Sequence, residues 1–177
     1  FNIHQSNIKS IVTIHDLIFK VYPETFPAFD RKMYDKKFRF SCEHADRIIA
    51  ISESTKLDIV KFYKINPDKI DVVYQSINPL YFEPSDDKEK PEFIKEKKLP
   101  KQYLLYVGSV EKRKNLKVII EALNLLPKED RIPLAVVGKG TKYKNEVLEK
   151  VQEYKLQNDV IWMDKLSDNK HLKFLYE

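Results

Sequence analysis

Three cations in a row, Lys112, Arg113 and Lys114, sit in the stretch LLYVGSVEKRKNL (104–116), where an apolar run ends at Gly108 and a helical pattern follows. That order suits an anion. In open α/β sheets ligands collect beyond the carboxyl ends of the strands. The helix that follows offers unpaired backbone N–H groups and the positive end of its dipole. Lys and Arg side chains add point-like and forked donors for phosphate oxygens. A second stretch, Val136-Val137-Gly138-Lys139-Gly140-Thr141, ends another apolar run in two glycines on the same edge of the same expected sheet. Gly138 and Gly140 would let the backbone approach a ligand closely, and they would equally serve a plain turn. A basic run before a helix is also a common solvated surface, with Gly108 a simple strand exit. The occurrence of two such loops together favours phosphate binding.

His15 and Asp16 form a third candidate, at the end of the β-branched run IKSIVTI (8–14). Imidazole exchanges protons or donates a hydrogen bond near neutral pH, so the pair could orient or activate a substrate; a histidine satisfied within its own loop is the commoner case. Metal-dependent phosphohydrolases also use adjacent His and Asp, and His44 and Asp46 would be the partners available here. Those enzymes are helical, whereas His15 follows a strand in an alternating chain, which argues against that reading.

The elements that must position these residues alternate. A strand over 8–14 is followed by a helix over 30–45, a short apolar run at Arg47–Ile51, and a helix over 53–63 capped by Ser52, with Leu57, Val60 and Tyr63 on one face. IDVVY (70–74) reads as another strand. From Pro84 to Lys98 the composition turns to two prolines and alternating charge, the mark of a linker or an exposed helical crossover. Beyond it come a strand at 102–107, a helix at 116–126, a strand at 133–137, a helix at about 142–156, a strand at 159–162 and a helix at 168–176. Leu116, Ile119, Ile120, Leu123 and Leu126 fall on one face of the helix that Pro127 ends. The order argues for parallel sheets of Rossmann type. No fixed-period repeat is present, but both halves share the order strand, loop, helix.

Composition narrows the class. Of 177 residues, 42% are hydrophobic and 33% charged, which excludes collagenous, low-complexity and largely disordered chains. A net charge of +5 and a pI near 9.0 suit nucleic acid, anionic lipid or a phosphorylated metabolite without choosing among them. The single cysteine, Cys42, excludes an intrachain disulfide and a multi-thiolate metal site, and points to a reducing compartment. No apolar run approaches the ~18–20 residues of a membrane span, and the first residues lack the pattern of a signal peptide. Membrane contact is expected to be peripheral.

Four blocks, TIHDLIFKVYPETF (13–26), ADRIIAISESTKLDIVKFY (45–63), LLYVGSVEKRKNLKVIIEAL (104–123) and PLAVVGKGTKYKNEV (133–147), together resemble the retaining group 1 glycosyltransferases of the GT-B fold, also called family 4. The resemblance runs over most of the chain in the right order. It implies an α/β chain with parts of two Rossmann-like domains, each incomplete: 1–80 from the later part of an acceptor-side domain, 81–100 as interdomain linker, and 101–177 from the first part of a nucleotide-sugar-binding domain. It implies transfer of a sugar from a nucleotide diphosphate donor, with GDP-mannose the first donor to consider, to a glycan or lipid-linked acceptor. Transfer would proceed with retention, without a metal ion or other cofactor, in cell-surface polysaccharide synthesis. Arg113 and Lys114 match the pair that holds the donor diphosphate, beside Gly108, and His15 matches the histidine that faces the sugar, followed by Asp16. Gly138 and Gly140 fall in the donor-site loop. The expected location is cytoplasmic, peripheral on the inner face of the membrane.

Departures from the family pattern bear on these expectations. No glycine-rich loop precedes His15, and Gln75-Ser76-Ile77-Asn78 stands where members usually carry Asn-Gly-Val-Asp. Glu121 and Glu129 have the spacing of the family's glutamate pair, but Glu121 lies on the polar side of its helix and Glu129 follows Pro127, so both read as surface charges. The true pair would fall beyond Glu177. The chain is accordingly expected to be an internal piece, inactive by itself, with uncovered apolar sheet edges that limit solubility. A truncated, non-catalytic nucleotide-binding remnant or scaffold is the alternative. A nucleic-acid-binding module is disfavoured, because the cations are dispersed and no nucleic-acid motif is present.

Overall fold

Short apolar runs with β-branched residues form strands here, and the longer amphipathic stretches between them fold back as helices. The computed structural model describes residues 8–84, 88–140, 142–163, 166 and 169–177. The chain divides into two compact units, Phe1–Ile77 and Asn78–Glu177.

In the first unit β1 (Ile11–Ile14), β2 (Arg47–Ala50) and β3 (Ile70–Val72) pair in parallel in that order. Among the described residues its helices are α1 (Ile18–Val21), α2 (Ala28–His44) and α3 (Glu53–Tyr63). The core gathers Ile14, Leu17, Phe19, Cys42, Ile48, Ile59 and Tyr63. Ser52 caps α3 as expected, its Oγ accepting from the Thr55 N–H at 3.1 Å. The buried face of α3 differs from the expected one. Thr55, Ile59 and Tyr63 are buried at i, i+4, i+8, Val60 is only partly buried, and Leu57 is 67% exposed. Thr55 can occupy the core because its hydroxyl bonds the His15 carbonyl at 3.0 Å and the Ser52 hydroxyl at 2.9 Å.

Polar anchors hold the turns. Lys69 Nζ donates to the carbonyls of Cys42 (2.9 Å) and Glu43 (2.8 Å), closing the carboxyl end of α2. Asp46 accepts from the Ser10 N–H at 2.8 Å, the Ser10 hydroxyl at 3.1 Å and Lys9 Nζ at 3.1 Å. Those bonds, the Ser10 N–H first, hold its carboxyl down at about 2. Cys42 is fully buried, and burial pushes its thiol up to about 11 against the opposing charge of Lys69.

In the second unit β4 (Leu104–Val107), β5 (Leu134–Val137) and β6 (Val160–Met163) form another parallel sheet in sequence order. Central β5 is buried throughout. Its side chains alternate between two apolar clusters: Leu134 and Val136 join α5 (Leu116–Leu125) and α6 (Lys142–Glu153), and Ala135 and Val137 join α4 (Lys90–Glu96) and α7 (Asn169–Tyr176). The unit is thus three layers, helix, sheet, helix. Residues 90–96 of the charged stretch form α4 around a buried Phe93, which stacks on His171 at 4.8 Å, while Lys170 bonds Glu89 at 2.9 Å. Leu116, Ile120 and Leu123 are buried on α5 and Ile119 packs beside them, but Leu126 is 43% exposed because the helix closes at Leu125. Ile11 on β1 and Leu104 and Val107 on β4 are exposed, on strands that pair along one edge among the described residues. No helix among those residues is long and apolar enough to cross a membrane.

Two outcomes follow. Ile59→Ala should cost the chain about 2–5 kcal/mol in urea denaturation, whereas Leu57→Ala stays within about 0.5 kcal/mol. Asp46, whose folded pKa lies below the ordinary carboxylate value of about 3.9, adds stability above that value and loses it as pH falls through its folded pKa. Asp46→Asn should therefore be less stable than the parent at pH 7, and the two urea midpoints should converge as the pH is lowered towards 2.

Candidate functional site

Parallel pairing of β4 with β5 continues past both strands. The Gly108 N–H donates to the Val137 carbonyl at 2.8 Å, and the Val110 N–H donates to Lys139 at 2.9 Å, where Val110 bridges Gly140. The Gly138 N–H meets the Met163 carbonyl at 3.0 Å. The two glycine loops read from the sequence are therefore zipped together at one end of the sheet. Gly138 has φ +155°, and a Cβ there would lie 1.9 Å from the Gly108 carbonyl oxygen. Only a bare Cα permits that approach. Thr141 lies outside the described residues, and a Cβ at Gly140 would meet the Lys144 side chain at 2.3 Å. Lys144 in turn sets its ammonium 4.9 Å over the Trp162 ring.

From buried Val110 the chain turns outward into a short 3₁₀ helix, Lys112–Lys114. All three of its cations are exposed. Asn115 then takes the left-handed conformation (φ 50°, ψ 42°), which asparagine tolerates better than most residues, and α5 starts at Leu116. No side chain of Asn115 caps the helix. The Lys117 N–H is met instead by the Tyr143 hydroxyl at 3.1 Å. The loop's basic side chains diverge. Lys114 folds back so that its ammonium lies over Gly108, where an added Cβ would come within 2.7 Å of Nζ. Arg113 Nη2 donates to Glu111 Oε1 at 3.0 Å. Burial, then the charge of Glu111, raises the Tyr106 phenol above its ordinary value. With three cations, one carboxylate and the amino end of a ten-residue helix, this end of the sheet favours an anion.

In the first unit His15 and Asp16 lie exposed at the exit of β1. The His15 carbonyl is held by Thr55, and its imidazole has no partner among the described residues. Asp16 turns its carboxylate onto the Ile18 N–H at 3.1 Å, an Asx turn that starts α1. His44 and Asp46 have other employment: His44 stacks on Phe40 at 4.0 Å with Nδ1 2.8 Å from the Phe40 carbonyl, and Asp46 holds Ser10. Glu121 lies 4.0 Å from Lys117, and Glu129 is exposed in a 3₁₀ turn after Pro127. Sequence reasoning passed over Ser109, Glu111 and Tyr143. A tyrosine at the start of the helix after a glycine loop is a usable signal; the Glu111 contact depends on a turn that no periodicity marks.

Comparison with known proteins gives the family and the fold. The family described as Glycosyltransferase Family 4 matches residues 2–79, and that described as Glycosyl transferases group 1 matches residues 87–177. The chain is 30% identical over 169 residues to the O-antigen chain mannosyltransferase RfbU of Salmonella typhimurium, covering 93% of this chain and 42% of that protein. It is 25% identical over 141 residues to O-antigen chain mannosyltransferase B of Escherichia coli, covering 79% and 37%. It therefore spans less than half the length of these relatives. Among solved structures, Anabaena HepE in complex with UDP and glucose superposes with a TM-score of 0.72 at 16% identity, over 92% of this chain and 43% of that one. That likeness is one of fold. Gly138→Ala should destabilise the second unit by about 2–4 kcal/mol through steric overlap and unfavourable φ, read from urea unfolding followed by fluorescence of the single tryptophan, Trp162.

Proposed function

The chain belongs to the Glycosyl transferases group 1 family, and on that premise we propose that the loop from Gly108 to Asn115 holds the diphosphate of a nucleotide-sugar donor. The observation that carries this reading is the placement of Arg113 and Lys114 between the end of β4 and the amino end of α5, on a backbone fixed by the paired glycines. As the bond from sugar to diphosphate breaks, negative charge grows on the leaving diphosphate. The two cations and the helix dipole stabilise that charge without reorganising, which lowers the barrier. Gly138 and Gly140, on the adjoining loop, support that backbone by letting the two loops and the Lys144 side chain pack closely. His15, with an exposed imidazole, is assigned to the transferred sugar, whereas Asp16 serves chiefly to set the turn behind it.

The wider reading is transfer with retention from a nucleotide diphosphate sugar, GDP-mannose in the first instance, to a glycan or lipid-linked acceptor in cell-surface polysaccharide synthesis, at the inner face of the membrane and without a metal ion. Its support is the mannosyltransferase names of the relatives and their O-antigen context. The test is calorimetric titration of GDP and UDP into the chain and its variants. Arg113→Ala and Lys114→Ala should each weaken binding by about tenfold or more, the loss of a charge-assisted hydrogen bond. Unchanged affinity in both would sink the donor-site assignment. Nucleotide binding without turnover by the full-length protein would favour the scaffold alternative.

A further inference from the structure

A single carboxylate stands among the loop's cations, and two hydrogen bonds converge on one of its oxygens. Glu111 Oε1 lies 2.5 Å from Ser109 Oγ and 3.0 Å from Arg113 Nη2. Ser109 is itself anchored, since its carbonyl accepts from the Tyr106 hydroxyl at 3.0 Å and Tyr106 packs against the apolar cluster beneath α5 and α6. A line of contacts thus runs from the core through Tyr106, Ser109 and Glu111 to the guanidinium. The Glu111 and Arg113 side chains are 30% and 33% exposed, so the pair is shielded in part from water.

An unrestrained arginine spreads over many rotamers, and selecting one of them costs conformational entropy. Glu111 uses one of the five N–H donors and leaves the rest of the fork available. We propose that Glu111 is a positioning residue, which fixes the Arg113 guanidinium in advance for the donor diphosphate. This inference rests on the donor-site reading above. It makes a prediction opposite in sign to simple electrostatics. A carboxylate beside an anion site repels the anion, so a Glu111 that acted by charge alone would, on removal, let nucleotide bind more tightly. A Glu111 that orients Arg113 would, on removal, let it bind less tightly.

The experiment is a double-mutant cycle on the 177-residue chain, with GDP and UDP titrated at constant ionic strength. Glu111→Ala should weaken binding by about threefold to tenfold, within the coupling range of contacting residues. Glu111→Gln, whose amide oxygen still accepts from Ser109 and Arg113, should restore most of the loss. In an Arg113→Ala background, Glu111→Ala should no longer weaken binding. Unchanged or tighter binding by Glu111→Ala overturns the proposal, as does an equal weakening with and without Arg113, which would mark a purely structural role. Loss of the folded circular dichroism signal in both Glu111 variants overturns it as well. If Arg113→Ala and Lys114→Ala bind like the parent, or the parent binds neither nucleotide, the donor-site reading falls and this inference with it. If those two weaken while Glu111→Ala does not, this inference alone falls.

Discussion

A carbonyl oxygen that no methyl group could approach, that of Gly108 beneath Gly138, is the constraint on which the second unit's site depends. Parallel strands ordinarily diverge into their loops once the ladder stops. Here the ladder runs on through Gly108 and Val110, so that two loops leave the sheet as one body. The basic turn, the left-handed Asn115 and the first residues of α5 are consequently placed by backbone hydrogen bonds and not by the side chains that would meet a ligand. Function and stability are separated to that extent: Arg113 and Lys114 are exposed and replaceable without loss of the core, whereas the glycines are not.

The two units use their strand exits differently. In the second, the helix after the strand begins without a side-chain cap from its own N-cap residue, and the nearby charges are mostly positive. In the first, Asp16 occupies the backbone N–H of the following turn and Thr55 secures the carbonyl of His15, so the exposed imidazole is the chemically available group. A cation-rich exit suits a diphosphate, and an exit that presents an imidazole suits a hydrogen-bonding group such as a hydroxyl.

Much of this is legible in the sequence. Strand exits at Gly108 and Gly138 are marked by apolar runs that end in glycine, and the core face of α5 by leucines and isoleucines at helical spacing. The face of α3 is harder to read, because the position nearest β1 is filled by Thr55, a polar residue made tolerable by two hydrogen bonds, while apolar Leu57 points to solvent. The end of α5 moves inward by one residue, since Pro127 disfavours the helical conformation in the residue before it. In the site, the cations and glycines are visible from residue type, but the line from Tyr106 to Arg113 is not. It joins neighbours in the chain through a 3₁₀ turn, and no pattern of types distinguishes that turn from an open loop.

Cys42 and Trp162 are each the only residue of their kind in the chain, and they fall in different units. Cys42 is shut away in the first with its thiol held protonated well above neutrality, so a thiol reagent reaches it chiefly when that unit opens. Trp162 lies under the Lys144 ammonium in the second, where its emission responds to that half of the molecule. Labelling rate and fluorescence thus act as two built-in clocks in one unmodified sample, one for each half. Whether the halves unfold together or in turn becomes a matter of comparing their readings.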